Sequence, residues 1–573
     1  MPTPDMDAAI PPNTGTGTGT AVTGGAVSTS EPHGAAGSNG SGGRGAAHQT
    51  SRWARAADFA RNPEGKAALL GFFGAVMITF GGFGAGSVRR NDPLLEAAHL
   101  SWLRFGHGYA LSTLCVWIGV LAMITAWVRL GRVTIGTVPG PTVTLNELRA
   151  IVGIWIFPLI FAVPMFSRDA YSYLAQGALL RDGFNPYDVG PVVNPGVLLD
   201  NVSPVWTNTT APYGPAFLLI ADGITSITGS NVVAGTIALR LVMLPGLALM
   251  LWAVPHLTKH LGGKPTTALW LAVLNPLVLI HLIGGVHNEM LMVGLMAAAI
   301  ALVLEKHHVA GFVVLSIAVA IKATAGVALP FLVWIWMIHE RERRAAKGEG
   351  EELPHPVLMF AKIAGLGLSV FVVVFAAASA LAGVGIGWLT ALSGSNKIIN
   401  WLSLPTIFSY MVSWVTPLRA ESAVLPVMRD LCKVALVVLL VWTWWRFRRS
   451  EREAILGITI AFVAIILLSP AALPWYYSWP LALAAGFALS TRTLQVLVGL
   501  CTWLMLVFQP DGSIGLYNPW HVAAATFAAV VAAVSLRMVD PLRLSSDQVR
   551  SRAVDAVSPD ITTPTVTPST PAT

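Results

Sequence analysis

Between residues 67 and 538 the chain is a succession of apolar runs, and one long polar stretch, 167–213, interrupts it early. A helical span needs roughly 17–25 apolar residues. The runs at 67–86, 108–130, 149–166, 233–255, 266–283, 289–305, 309–321, 324–338, 356–385, 428–446, 454–470, 479–491, 493–510 and 519–538 approach that length. Two more, 214–229 and 403–417, either cross or only dip. None alternates as a strand would, so a membrane β-barrel is excluded. Only 11% of residues are charged, against about 25% in a soluble chain. The expected fold is an all-α polytopic membrane protein with about 13–15 transmembrane helices and a long first external loop. That loop is expected to carry short amphipathic helices.

Residues 1–64 and 541–573 read as disordered cytoplasmic tails, rich in Gly, Ala, Ser and Thr in the first and in Thr and Pro in the second. Neither can bury enough apolar surface to fold. The first fifty residues hold no apolar core, so no cleavable signal is expected. Cys115, Cys432 and Cys501 lie in or beside apolar runs and are odd in number. That implies packing rather than a disulfide framework or a zinc site. The net charge of +7 sits mostly in short clusters between runs. Such a pattern marks topology signals and not nucleic-acid binding. Arg52, Arg55, Arg61 and Lys66, the 341–347 cluster, the 446–452 cluster, Arg537 and Arg543 read as cytoplasmic. With those inside and 214–229 re-entrant, 167–213, 386–427, the Pro474–Trp479 turn, 511–518 and His287-Asn288 all fall outside. Arg89-Arg90 then violates the rule mildly.

Nearly every unusual polar residue gathers on that one face. Ionisable groups at the lip of a membrane helix are functional candidates by default. Asp169, in Arg168-Asp169-Ala170-Tyr171-Ser172-Tyr173, reads as a general base or as half of a helix-end pair with Arg168. Tyr171, Tyr173 and Gln176 follow on the next turns of the same helix. Asp182 reads as a turn cap in preference to a substrate contact. Trp206 and Tyr213 suit either the membrane interface or a sugar face. Asn201-Val202-Ser203 and Asn208-Thr209-Thr210 match glycosylation sequons, a pattern common by chance. In His287-Asn288-Glu289, His287 and Asn288 can donate to phosphate or sugar oxygens or serve structure alone. Lys322 splits the stretch 309–338 and either snorkels or meets an anion such as a lipid phosphate. Lys397, after Ser395-Asn396, is a phosphate or acceptor candidate or a solvated loop residue. Pro474-Trp475-Tyr476-Tyr477-Ser478-Trp479-Pro480 is an interfacial belt or a wall beside a lipid-linked sugar.

Arg168-Asp169-x-Tyr171-Ser172-Tyr173-x-x-Gln176-Gly177, Asn185-Pro186-Tyr187, Pro212-Tyr213-Gly214-Pro215, His287-Asn288 and Pro474-Trp475-Tyr476 together resemble one family. It comprises the polyprenol-phosphomannose-dependent α-1,6-mannosyltransferases of mycobacteria and corynebacteria, in the glycosyltransferase C superfamily. The resemblance covers roughly 65–540; family members often carry Asp where Glu289 stands. It implies a plasma-membrane enzyme with a periplasm-facing site, a polyprenyl-phosphate-mannose donor and a lipid-anchored mannan acceptor in lipomannan and lipoarabinomannan synthesis. Asp169 would be the base of one inverting displacement. Arg168, His287 and Lys322 would receive the donor phosphate. Tyr171, Tyr173, Gln176, Trp206, Tyr213, Asn288, Lys397, Trp475 and Tyr476 would contact substrate. No cofactor, metal or nucleic acid is expected. The competing readings are an arabinosyl- or glucosyltransferase of the same superfamily, a lipid-linked sugar flippase and a non-catalytic scaffold. Transporters tend to show internal repeats and midplane polar sites, and no clear repeat is visible here.

Overall fold

The computed structural model describes residues 61–90, 92–137, 142–348, 355–391 and 397–538. Nearly all of both tails, and Ser395 and Asn396, lie outside the described residues. The apolar runs fold as helices: α1 (Pro63–Ala85), α2 (Gly106–Ile135), α3 (Leu145–Leu159), α4 (Asp169–Arg181), α5 (Pro215–Thr228), α6 (Val232–Leu261), α7 (Pro265–Ala272) and α8 (Pro276–Gly284). Then come α9 (Glu289–Leu304), α10 (His308–Ile321), α11 (Ala323–Ala346), α12 (Pro356–Ala382), α13 (Leu404–Val415), α14 (Leu425–Arg446), α15 (Glu451–Leu468), α16 (Ser478–Ala484), α17 (Thr491–Leu506) and α18 (Pro519–Ser535). Among the described residues there is no strand, only two isolated bridges, and the chain is an all-α polytopic membrane protein.

Local chemistry sets many of the starts. Thr144 and Glu147 close a full capping box on α3. Ser450 and Ser490 accept from the first-turn amides of α15 and α17. By length and composition five helices can cross a membrane: α1, α2, α6, α11 and α12. The bent pair α7–α8 makes a sixth. Many of the expected crossings are therefore shorter helices of 10–17 residues. Others are long but charged at one end: α14 carries Arg429, Asp430 and Lys433, and α15 opens on Glu451-Arg452-Glu453.

Several expected segments are reshaped. The run 266–283 is broken at Asn275-Pro276, where the two halves bend by 43° and Leu279–Gly284 winds as a π turn. Pro276 cannot donate to the preceding turn. The Asn275 side chain accepts from Leu277 N instead. The run 479–491 yields only the seven residues of α16. α5 has 14 residues. That is fewer than a helix needs to cross a hydrocarbon core, as a re-entrant segment would be. The first loop's main helix, α4, is not amphipathic: Ala170 through Leu179 are all buried.

One large core runs through the bundle, with a small satellite around Tyr187, Ala211 and Leu218. The three cysteines are buried and unpaired. α1 lies along α2, α4 against α5, and α9 against both α6 and α10. At the α6–α9 crossing a Cβ on Gly294 would stand 2.2 Å from the Gly246 carbonyl oxygen, so the two backbones touch. Gly294→Val is expected to lower stability by about 1–3 kcal/mol, the usual cost of overpacking. Thermal unfolding in detergent measures it, and an unchanged Tm would show that the crossing can open freely.

Candidate active site

Asp169 is the first residue of α4, and an irregular turn delivers it there. Phe166 holds a left-handed φ of 62°, its amide donates to the Pro510 carbonyl at 2.8 Å, and its ring lies 5.2 Å from that of His281. Val286, just before His287, has the same φ of 62°. Such backbone is costly for a β-branched residue, about 1–3 kcal/mol. Both strained residues are fully buried and immobilised by packing. Arg240, from the first third of α6, holds both segments. Its guanidinium donates to the Ile283 carbonyl at 3.0 Å, to Gly284 at 2.9 Å, and to Ile160 beyond the end of α3 at 3.3 Å.

The result is a cavity of about 660 Å³. Asp169, Ser172 and Gln176, spaced i, i+3 and i+7, line it from one face of α4. Trp206 and Tyr213 line it from the first loop, Lys322 from the break between α10 and α11, and Lys397 from the second loop. Trp475, Tyr476 and Trp479 form a wall, with Asp511 and Ser513 at the rim. Ile398, Ile399, Ile465 and Leu473 make another side apolar.

Close approach of two backbones brings Tyr213 to Lys322. The Gly214 amide donates to the Ile321 carbonyl at 3.1 Å, and a Cβ there would stand 2.2 Å from the Ala320 carbonyl oxygen. The Asn185-Pro186-Tyr187 motif supports this return, since the Tyr187 hydroxyl donates to the Tyr213 carbonyl at 2.9 Å. The Lys322 ammonium pairs with the fully buried carboxylate of Glu289. It also lies 5.0 Å from the Tyr476 ring centre, 5.7 Å from that of Tyr213 and 6.0 Å from that of Trp479. Those ring faces attract a cation.

Asp169 keeps 21% of its side chain accessible, towards the cavity. Its pKa is raised to about 6, by burial first and then by the neighbouring Glu289 charge, against the opposing pull of Lys322 and the Ser167 hydroxyl. His287 Nδ1 stands 3.5 Å from Asp169 Oδ2 and 4.0 Å from Glu289 Oε2.

Several sequence expectations are corrected by position. His287 is fully buried behind the wall, stacked on Trp475 at 3.9 Å, and it does not line the cavity. Burial, His281 and Lys322 hold its pKa well below the usual value, so it is a neutral imidazole and not a cation for phosphate. Asn288 is buried beside it, off the lining. Tyr171 turns its hydroxyl to the Ser87 carbonyl at 2.6 Å and also lies off the lining. Tyr173 backs the wall, edge-on to Tyr213 at 5.1 Å. Arg168 does line the cavity, but Nε and Nη2 donate to the Asn201 carbonyl and Nη1 to Val88, so no helix-end pair with Asp169 forms. Asp182 caps the end of α4 as expected, pairs with Arg181 and accepts from Asn194, so the alternative of a substrate contact is the one that falls away. Lys397 reaches the first loop, donating to Thr209 Oγ1 at 2.7 Å. Trp475 and Trp479 are buried, which makes the aromatic turn a wall and not a lipid-facing belt.

Ser172 and Asp511 had no role assigned from sequence, and Glu289 had none of its own beside His287 and Asn288. Ser172 was within reach of that reading through its i+3 spacing from Asp169. The Glu289–Lys322 pair spans 33 positions and left no local signal. Among the described residues no group of three or more His, Cys, Asp or Glu side chains is placed to hold a metal ion.

The family described as alpha-(1->6)-mannopyranosyltransferase, N-terminal domain, matches residues 68–338, and the MptB C-terminal domain matches 404–538. The chain is 52% identical to alpha-(1->6)-mannopyranosyltransferase A of Mycobacterium tuberculosis, over 88% of this chain and 95% of that one. The chain belongs to the alpha-(1->6)-mannopyranosyltransferase family. It is a membrane mannosyltransferase. It is 38% identical to alpha-(1->6)-mannopyranosyltransferase A of Corynebacterium glutamicum, over 80% of this chain and 96% of that one. Against alpha-(1->6)-mannopyranosyltransferase B of the same organism the figures are 28%, 73% and 72%. No solved structure matches.

The placement of Tyr171 gives a direct test. Tyr171→Phe removes the donor to the Ser87 carbonyl and is expected to destabilise the protein by about 1–3 kcal/mol. Mannosyl transfer per folded molecule should stay at the parental rate. A loss of turnover without a fall in Tm would put the hydroxyl back on the substrate.

Proposed function

We propose that this mannosyltransferase takes its sugar from a polyprenyl-phosphate-mannose donor and adds it, with inversion, to the 6-hydroxyl of a lipid-anchored mannan. The reaction takes place at the outer face of the plasma membrane, in the assembly of lipomannan and lipoarabinomannan. One observation carries this reading: a carboxylate tuned to about 6 and an ammonium under aromatic rings face a single cavity that also has an apolar side. Asp169 takes the proton of the acceptor hydroxyl as its oxygen attacks the anomeric carbon. The bond from that carbon to the phosphate oxygen breaks, and its electron pair stays on the phosphate. A phosphodiester becomes a phosphomonoester and gains charge, which Lys322 meets directly. The α-linkage follows from a single displacement on a β-linked donor. The apolar side suits the prenyl chain. Gln176, Trp206, Tyr213, Lys397, Trp475 and Tyr476 line the space for the sugars, with aromatic faces suited to pyranose rings.

The test is a membrane assay with synthetic mannosyl phosphopolyprenol and a short α-1,6-mannoside. Asp169→Asn should lower turnover by roughly 10²–10⁴-fold, the contribution of a general base, with folding retained. Lys322→Ala should chiefly raise the donor KM. Because the base works ionised, kcat/KM of the parent should rise with pH through about 6 and then level off. Full activity in Asp169→Asn would remove that residue as base. Equal use of arabinosyl or glucosyl phosphopolyprenol would reassign the sugar.

A further inference from the structure

Glu289 opens α9 and is fully buried, outside the cavity lining. Inside a membrane bundle an ionised carboxylate is expensive and marks function more often than stability. Here it touches both halves of the reaction. Oε1 holds the Lys322 ammonium, and part of the Lys322 side chain remains accessible to the cavity. An ammonium has three donors, so two further N–H groups are left to present there. Oε2 has no hydrogen-bond partner and stands 4.0 Å from His287 Nδ1. The same nitrogen lies 3.5 Å from Asp169, so one neutral ring nitrogen is near both carboxylates.

We propose that Glu289 is a positioning residue for the transfer: from behind the cavity wall it aims the Lys322 ammonium at the donor phosphate and, across His287, sets the pH at which Asp169 becomes a base. The inference rests on the donor and base assignments proposed above and deepens them.

The groups around Asp169 make the direction of the effect unambiguous. Ser167 faces it from its own segment, His287 and Glu289 from the turn into α9, and Lys322 from the α10–α11 break. Tyr213, Tyr476, Lys397 and Asp511 line the same cavity, Tyr173 stands behind it, and Arg168 spends its donors on backbone carbonyls. Glu289 disfavours the ionised form of Asp169 and also neutralises Lys322, which favours it. Removing the Glu289 charge therefore acts twice in the same sense and makes Asp169 a stronger acid.

Glu289→Gln and Glu289→Asp test this in the assay with synthetic mannosyl phosphopolyprenol, with kcat/KM followed across the acid and neutral range. Glu289→Gln is expected to move the acid limb down by about one pH unit, the low end of what a nearby charge does. It should raise the donor KM about tenfold through the lost charge-assisted contact, at an unchanged acceptor KM. Glu289→Asp keeps the charge and withdraws it by one methylene, so the limb should stay while the donor KM still rises. An unmoved acid limb together with a parental donor KM in Glu289→Gln would overturn the proposal. If Glu289→Gln does not fold, a parental donor KM in Glu289→Asp does the same. A fully active Asp169→Asn would instead overturn the proposed function itself. An inactive Asp169→Asn beside an unmoved Glu289→Gln profile and a parental donor KM removes only the role of Glu289.

Discussion

The site depends on a guanidinium buried in the bundle. Arg240 has no carboxylate partner among the described residues; its donors go to the carbonyls of Ile160, Ile283 and Gly284. Those carbonyls end α3 and α8, the helices that stop just before the Phe166 and Val286 turns. In a bilayer no water satisfies a freed carbonyl, so irregular backbone persists only where protein groups or a cavity meet it. Arg240 supplies that partner at both places. It thereby lets two helices end inside the bundle and present Asp169 and His287 to one another.

Ending the helices there has a chemical consequence. Phe166 and Val286 hold backbone that an isolated chain would avoid, and each is followed at once by residues of the site. The π turn before Val286 and the break at Asn275-Pro276 belong to the same device. Turns of that kind interrupt helices most often at functional places. A straight helix over 266–283 would have continued past the turn that seats His287. Broken, it brings a fully buried imidazole against Trp475 and within 3.5 Å of Asp169.

Much of this was legible in the sequence, and what was not has a physical reason. The apolar runs and their charged flanks marked out nearly every helix, because hydropathy and helix period act locally. Asp169, Lys322, Tyr213 and the Trp475-Tyr476 turn stood out as polar or aromatic groups where a membrane protein has few. Direction of side chains was hidden. Tyr171 and Ser172 are adjacent, yet one points to the Ser87 carbonyl and the other lines the cavity, because α4 is buried on every side and burial alone does not tell its cavity face from its packed faces. The partner of Lys322 was hidden too, since an ion pair across 33 positions is made by tertiary packing alone. Helix lengths failed for a third reason: a proline and a cap residue at 275–276 outweighed the continuous hydropathy of the run 266–283.

The cavity also joins two stretches of chain that family membership treats separately. Residues within 68–338 supply Asp169, Tyr213 and Lys322, and residues within 404–538 supply Trp475, Tyr476, Trp479 and Asp511. Neither set encloses the space alone. The charged groups need the aromatic wall: without it the Lys322 ammonium would face water or lipid on the side where three ring faces now hold it. The wall needs the charged groups in turn, because Trp475 is fixed by its stack on His287, whose place is set by the turn that Arg240 caps. Charge and aromatic surface are thus coupled through one ring contact, and the large core that runs through both stretches keeps them in register.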